Sequence, residues 1–591
     1  MKYRAEIDGL RALAVLPVIL FHAGFEWFSG GFVGVDVFFV ISGYLITTII
    51  ISEMAEDKFS IINFYERRAR RILPALFFVM LICIPFAWMW MLPEALENFG
   101  QSLVSTSLFA NNFLLMLTAG YWDLASEYKP LMHTWSLAVE EQYYIIFPAF
   151  LIFAWRFGKN KLIWLILFIS IISFTISEYG WRQNSIAHFY FSPSRAWELL
   201  AGSTAAFICD RKGVENNNGL AFLGLIMILY SIFTFNEETP FPSAFTLAPV
   251  IGTTLIILYA DNKTFTAKFL STKILVGVGL ISYSLYLWHQ PIFAFARIYK
   301  QDQITDFDSY IFIFLSVFLA FLTWKYIETP FRNKTYFSSF KIFSFSSFMM
   351  IFFISIGLYF HLSNGVPNRI FTLDAYERST NEEVIKIANL NDIDSEKSIK
   401  HNPNNRHIYI MGDSYATDIA YLFSKHKPNI KYTLVGSNSP TELICDARLI
   451  QKIDQAQISS IMFAFDEGFD SLCINNLINT LEEKAIKVIF IGTKQFGNNL
   501  NWLARLNAYE RSSLCQSPDS EEINIDLRDA LAIPDKNYFS FFSTFPSNGC
   551  FPITNTAGEL LSSDRQHFTI AGIEYFGKQF FENKNVKLAI E

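Results

Sequence analysis

Two polar side chains interrupt an otherwise apolar run, "RALAVLPVILFHAG", which carries Arg11 at one end and His22 toward the other. At ~100° per residue, eleven steps close about three helical turns, so both side chains share a face. At ~1.5 Å rise per residue they are roughly 16 Å apart along the axis, about half the hydrocarbon thickness of a bilayer. Ionisable groups at membrane depth are costly and mark pathways or reaction centres. An arginine alone would snorkel to the interface, and a histidine alone would pack as a core residue. Together on one face they read as parts of a site. Arginine grips phosphate through a planar fork of donors. A neutral histidine takes a proton from a hydroxyl or attacks an acyl carbon.

Further polar groups fall inside apolar segments. "VDVFFVISGYLIT" carries Asp36 and the pair Ser42-Gly43, and "FYERRARRILP" gathers Arg67, Arg68, Arg70 and Arg71. The arginine cluster has two readings, a charge signal for topology and a phosphate clamp. "HTWSLAVEEQYY" offers His133, Ser136, Glu140, Glu141 and Gln142. Two adjacent carboxylates opening a membrane span are hard to explain as packing. "SRAWELLAG" sets Arg195 and Glu198 at i, i+3, the spacing of an intrahelical ion pair. "SYSLYLWHQP" offers His289, and "YIETPFR" offers Glu328.

The elements that must carry these groups follow from composition. In 591 residues, 52 % are hydrophobic and 17 % charged, which describes an integral membrane protein. The net charge of −7 argues against a nucleic-acid binder. The N-terminus lacks the short apolar region and cleavage site of a secretory signal, so the first segment reads as a retained helix. Apolar segments fall near 11–28, 33–52, 72–92, 138–155, 161–178, 193–210, 219–235, 246–260, 274–297, 309–329 and 340–361. Lys and Arg concentrate in alternate loops: 53–71, then Arg156 to Lys161, Arg211 and Lys212, Lys263 to Lys273, and Arg332 to Lys341. Lys129 and Arg182 are the exceptions in the bare loops. The basic loops are expected in the cytoplasm, with the N-terminus. The parity holds if 99–118, a semi-polar stretch with Asn111 and Asn112, is re-entrant or surface-lying. The expectation is ten spans plus one linking span at 340–361, with the C-terminal domain outside the cytoplasm.

Composition changes near residue 362 to a polar linker and then to soluble sequence. "RHIYIM" runs straight into "GDSYATDIAYLF", and "IKYTLVG", "ISSIMFAF" and "KVIFIG" follow at intervals. Alternating strands and helices predict a three-layer α/β domain with a parallel sheet. Ser414 at the end of the first strand is where such a sheet places its site. Near the C-terminus, "SSDRQHFTIAGIEYF" puts Asp564 and His567 three apart before an amphipathic helix. Cys445, Cys473, Cys515 and Cys550 all lie in this outer part, where disulfides are permitted, and three pairings are open.

"GLRALAVLPVILFHAG", "FFVISGYLI", "FYERRARRILP", "HTWSLAVEEQYY" and "YSLYLWHQP" together resemble the acyltransferase-3 family of membrane O-acyltransferases, over roughly residues 1–335. That resemblance implies transfer of an acyl group, usually acetyl, from cytoplasmic acyl-CoA toward extracytoplasmic glycans. It assigns Arg11 with His22, and Arg68 with Arg71 inside the wider cluster that includes Arg67, to the donor site and its chemistry. It leaves Glu140 or Glu141 to orient the histidine or bind the acceptor. Gly-Asp-Ser early and Asp-x-x-His late resemble the SGNH hydrolase family, which implies Ser414 as nucleophile, His567 as base and Asp564 as orienting acid. One departure stands out. The family's Gly-x-Asn after a central strand is missing, since "IMFAF" continues "DEGFD". Gly436 is the candidate for a backbone oxyanion donor.

The domains expected are a membrane domain over 1–335, a further span over 336–362, a linker over 363–405 and an SGNH-like extracytoplasmic domain over 406–591. The function expected is O-acetylation of a surface polysaccharide at the bacterial inner membrane. Acetyl-CoA would be the donor, and lipopolysaccharide O-antigen or its lipid-linked precursor the acceptor. Peptidoglycan is the alternative acceptor, and a glycan transporter or flippase the non-enzyme alternative. Membrane lipid is the surrounding partner, and neither a metal nor a nucleic acid is expected.

Overall fold

The computed structural model describes residues 3–118, 126–183, 187–300, 304–334, 336–370, 407–412, 414–436, 459–464, 471–492, 494, 496, 499–516, 533–541, 550–562 and 567–590. They belong to two compact units, Met1–Gly365 and Val366–Glu591.

The first unit is helical. Its helices are α1 (Ala5–His22), α2 (Gly34–Ala55), α3 (Ile61–Trp90), α4 (Pro93–Ser107), α5 (Asn111–Thr118), α6 (Thr134–Trp155), α7 (Lys159–Arg182) and α8 (Ala187–Tyr190). They continue with α9 (Ser192–Lys212), α10 (Asn218–Thr234), α11 (Leu247–Tyr259), α12 (Phe265–Leu270), α13 (Lys273–Tyr299), α14 (Asp306–Thr323), α15 (Thr329–Arg332) and α16 (Ser339–Leu362). Each of the eleven apolar segments read from the sequence overlaps one of these helices; 11–28 runs past the end of α1, and 309–329 continues from α14 into α15. Among the described residues, six helical stretches are long and apolar enough to cross a membrane: Gly31–Ala55, Ile61–Trp90, Thr134–Trp155, Lys159–Arg182, Asp306–Arg332 and Ser339–Leu362. The chain is a multi-pass membrane protein. Helices α10 and α11 are apolar but shorter.

Polar caps fix several starts. Ser60 accepts from the Asn63 backbone N–H ahead of α3, and Asn217 accepts from Leu220 ahead of α10. Small residues set a close crossing of α2 and α9. A Cβ on Gly43 of α2 would stand 1.8 Å from the Leu199 carbonyl oxygen, and one on Gly202 of α9 would stand 1.9 Å from that of Val40. Only glycine lets the two backbones approach this far, the device membrane helices use in place of a hydrophobic drive.

The segment 99–118 is not one long helix. It is divided between α4, of 15 residues, and α5, of 8. Asn111 is buried and holds the Leu131 carbonyl at 3.0 Å and Thr134 Oγ1 at 2.8 Å. Arg68 and Arg71 near the start of α3 face the same space as Arg11, while His133, preceding α6, faces the same space as His22. Helix α3 has 30 residues, ~45 Å at 1.5 Å per residue.

The second unit holds a five-stranded parallel sheet in the order β2-β1-β3-β4-β6. The strands are β1 (His407–Gly412), β2 (Lys431–Gly436), β3 (Ser460–Ala464), β4 (Lys487–Ile491) and β6 (Tyr538–Phe539). Two short strands, β5 (Cys515–Gln516) and β7 (Phe551–Pro552), pair antiparallel beside a Cys515–Cys550 disulfide. Cys445 and the Cys473 side chain lie outside the described residues. Helices Ser414–His426 and Ile570–Glu582 are strongly amphipathic and bury Phe423 and Phe580 against each other, ring centroids 6.3 Å apart. The parallel sheet expected from the alternating sequence is present.

Candidate active site

Among the cavities in the described residues of the helical unit, two lie at opposite ends of the Arg11–His22 helix. The first is narrow, about 90 Å³, and is lined by Arg11, Arg68, Arg71, Ser42, Glu140 and Tyr144 among others. Three guanidinium groups thus converge from α1 and α3. Arg11 stands 3.6 Å from Asp8. Glu140 accepts a hydrogen bond from the Tyr144 hydroxyl at 2.9 Å. Arg67 is turned elsewhere, 2.9 Å from Glu53, and Arg70 is tied to Glu66 at 2.8 Å and to the Phe331 carbonyl. The cluster "RRARR" therefore divides by helical phase: Arg68 and Arg71, one turn apart, face the cavity, and Arg67 and Arg70 do not. Glu141 is buried but is not a wall of this cavity.

The second cavity, about 300 Å³, is lined by His22, His133, Trp135, Arg195, Phe241 and Tyr286 among others. His22 Nδ1 lies 2.9 Å from the Val18 carbonyl oxygen. In the neutral ring this places the proton on Nδ1 and leaves the Nε2 lone pair for chemistry. The sequence reading left Glu140 or Glu141 either to orient the histidine or to bind the acceptor. The structure gives the orienting role to a backbone carbonyl four residues back on the same helix, and Glu140 sits with the arginines instead. Arg297 of α13 donates to the His22 carbonyl oxygen at 2.8 Å, which fixes α1 against α13. That packing brings in two further imidazoles. The His22 and His289 ring centroids are 5.1 Å apart, and those of His133 and His289 are 5.4 Å apart. Neither ring nitrogen of His133, nor His289 Nε2, has a hydrogen-bond partner among the described residues. Among those residues, no group of three or more His, Cys, Asp or Glu has the geometry to hold a metal.

Val35 and Tyr286 belong to the walls of both cavities. The Tyr286 hydroxyl donates to the His133 carbonyl oxygen at 3.1 Å and lies 2.7 Å from Ser136 Oγ. The tyrosine is thereby held as a partition between the arginine side and the histidine side. Glu328 is not free for chemistry: it accepts from Ser284 at 2.8 Å and pairs with Arg332.

In the second unit, Ser414 opens the helix that follows β1, and His567 Nε2 lies 2.9 Å from its Oγ. A serine hydroxyl that donates to an imidazole is the activating contact of a serine nucleophile. Beneath it, Asp418 Oδ2 accepts from the Phe568 backbone N–H at 3.0 Å and stands 2.8 Å from Lys494 Nζ. This buried pair holds the segment that carries His567. Gly436 ends β2, in register with Gly412 of β1, on the strand beside the one that leads to Ser414. Asp564 and the stretch after β3 where Gly-x-Asn was sought lie outside the described residues.

Comparison with known proteins bears on the helical unit. The family model described as "Acyltransferase domain" matches residues 4–327. This chain belongs to that acyltransferase family. It is 33 % identical over 362 residues to O-acetyltransferase OatA of Staphylococcus aureus, covering 58 % of this chain and 59 % of that protein. It is 32 % identical over 363 residues to peptidoglycan O-acetyltransferase OatA of Listeria monocytogenes, covering 58 % of each. The chain thus spans somewhat more than half the length of these curated relatives. No solved structure matches.

Within the acyltransferase unit, the sequence reading found Arg11, Arg68, Arg71, Glu140 and His22 but missed the partition. Tyr286 stood in view in "SYSLYLWHQP" but gave no sign of its role, because a tyrosine on an apolar helix is an ordinary core residue. Arg195 was read only as a partner of Glu198. The signal that could have singled it out is an arginine at the end of an apolar helix opposite its basic end.

Proposed function

We propose that this protein is a membrane O-acetyltransferase that takes acetyl from cytoplasmic acetyl-CoA and delivers it to peptidoglycan hydroxyls outside the membrane. One observation carries the reading: three arginines and a histidine with a free Nε2 line two cavities that meet at a single partition. The arginine cavity is narrow, so a nucleotide stays at its mouth. There Arg11, Arg68 and Arg71 hold its phosphates by charge-assisted bonds. The thioester end is directed toward the partition and His22. His22 Nε2 takes the proton of an acceptor hydroxyl or attacks the acyl carbon itself. Ser414, activated by His567, then accepts the acetyl group and passes it to a glycan hydroxyl. The proposal includes ten spans plus the linking helix α16, basic loops in the cytoplasm, and the second unit outside. Asp564 keeps its proposed part as orienting acid, and Gly436 as backbone oxyanion donor.

The choice of acceptor moves from the O-antigen expected from sequence to its stated alternative. The Listeria monocytogenes relative's name specifies peptidoglycan, and nothing in the two cavities favours an O-antigen sugar. The deciding experiment compares cell-wall muropeptides and other surface glycans from deleted and complemented cells by mass spectrometry and NMR. Acetyl esters on muropeptides that vanish on deletion support the proposal. Unchanged muropeptides with loss of acetyl from another glycan would move the acceptor. A transporter would leave acetyl-CoA unconsumed.

A further inference from the structure

Arg195 is wholly buried and is a wall of the His22 cavity. One nitrogen of its fork, Nη2, donates to Asp36 Oδ1 at 2.9 Å. Its Nε stands 3.4 Å from Glu198 Oε1. Neither Nε nor Nη1 has a hydrogen-bond partner among the described residues. The guanidinium carbon lies 5.2–5.6 Å from the ring centroids of Phe39, Trp135, Phe189 and Phe241. Three of these rings, those of Trp135, Phe189 and Phe241, also line the cavity.

A buried ion pair kept only for packing satisfies its remaining donors, because each unmade bond to a charged group in a dry site is expensive. Arg195 instead keeps donor capacity unspent in an aromatic cage that excludes water. Its position is fixed in advance by Asp36 on α2, and α2 is locked to α9 by the Gly43 and Gly202 contacts. Among the described residues it is the one guanidinium on the cavity wall. Preorganised donors in a water-poor site are worth most where negative charge appears during reaction.

We infer that Arg195 donates to the acyl carbonyl oxygen while the group is transferred at His22. This rests on the reading of that cavity as the transfer site. With His22 acting as base, the acceptor O–H proton passes to Nε2 and the oxygen bonds to the carbonyl carbon. The C=O pair moves onto oxygen, where Arg195 meets it. The pair then returns, the C–S bond breaks, and the departing thiolate takes the proton back from His22 to leave as free thiol.

The test uses the full-length protein in membranes, with acetyl-CoA as donor and glycan acetylation as readout. The variants are Arg195→Met, Arg195→Lys and, in parallel, His22→Ala. Arg195→Met is expected to lower kcat by about 10²–10³-fold while the acetyl-CoA KM stays within about threefold. Arg195→Lys, which keeps charge without the fork, is expected to recover part of the loss. If Arg195→Met does not accumulate as folded protein, Arg195→Gln with Asp36→Asn removes both charges at near-constant volume, and the same thresholds apply. Transfer within threefold of wild type, or a kcat loss accompanied by an equal rise in KM, would overturn the role of Arg195. Activity surviving in His22→Ala would instead overturn the transfer site itself. An inactive His22→Ala beside a fully active Arg195→Met would leave the site standing and remove only this residue from it.

Discussion

A histidine with Nδ1 committed to a carbonyl has one nitrogen left to offer, and His22 is in that position. Its removal is therefore expected to be total in effect: His22→Ala should abolish acetylation at matched protein level, read on isolated muropeptides. The arginines should behave differently, because the proposed route has them bind rather than react. A charge-assisted bond is worth about 1.5–3 kcal/mol, so Arg11→Ala should weaken acetyl-CoA binding by about 10–100-fold. Arg11→Lys should fall between, since the charge remains and the fork is lost. Isothermal titration with a non-hydrolysable acetyl-CoA analogue checks both, and unaltered affinity in Arg11→Ala would take it out of the donor site. Ser414→Ala and His567→Ala are expected to leave that binding intact and to stop delivery equally, because the two side chains make one hydrogen-bonded unit. Full acetylation in Ser414→Ala would end the serine relay while leaving the His22 chemistry in place.

What was legible in the sequence depended on whether the partners share an element. Arg11 and His22 lie on one helix, so their common face follows from helical phase alone. The helices themselves were visible as apolar runs, and the buried Asn111 marked the stretch that breaks into two short helices. Arg195 and Asp36 are 159 positions apart and meet only because α2 and α9 touch backbone to backbone. No spacing rule reaches that far. Ser414 and His567, 153 apart, were found through two motifs at the ends of a β/α pattern rather than through spacing. The α2–α9 contact has a direct test. Gly202→Leu forces a side chain into a backbone carbonyl 1.9 Å away, which exceeds the 1–3 kcal/mol usual for overpacking. The folded, monodisperse fraction on size-exclusion chromatography should collapse, whereas Gly277→Leu, in open space, should not disturb it. In the second unit, reducing Cys515–Cys550 should cost about 2–4 kcal/mol and lower the melting temperature of that unit.

At the scale of the whole molecule, the proposed route sets donor and acceptor chemistry on opposite sides of a membrane, and that orientation is checkable. A phosphatase reporter joined after residue 362 should be active only outside the cytoplasm. Cytoplasmic activity at that junction would overturn the delivery route. The partition of Val35 and Tyr286 has a consequence of another kind. A cell that stores energy as a proton gradient cannot tolerate an open aqueous thread through its membrane. On the proposed route, the two cavities open toward opposite faces and come within one layer of side chains of being such a thread. An apolar or tightly held constriction keeps water columns apart by dewetting. Tyr286→Ala together with Val35→Gly should therefore do more than impair an enzyme. It should make the protein a proton leak, seen as faster collapse of an imposed pH gradient in proteoliposomes carrying an entrapped pH dye, with or without any acyl donor present.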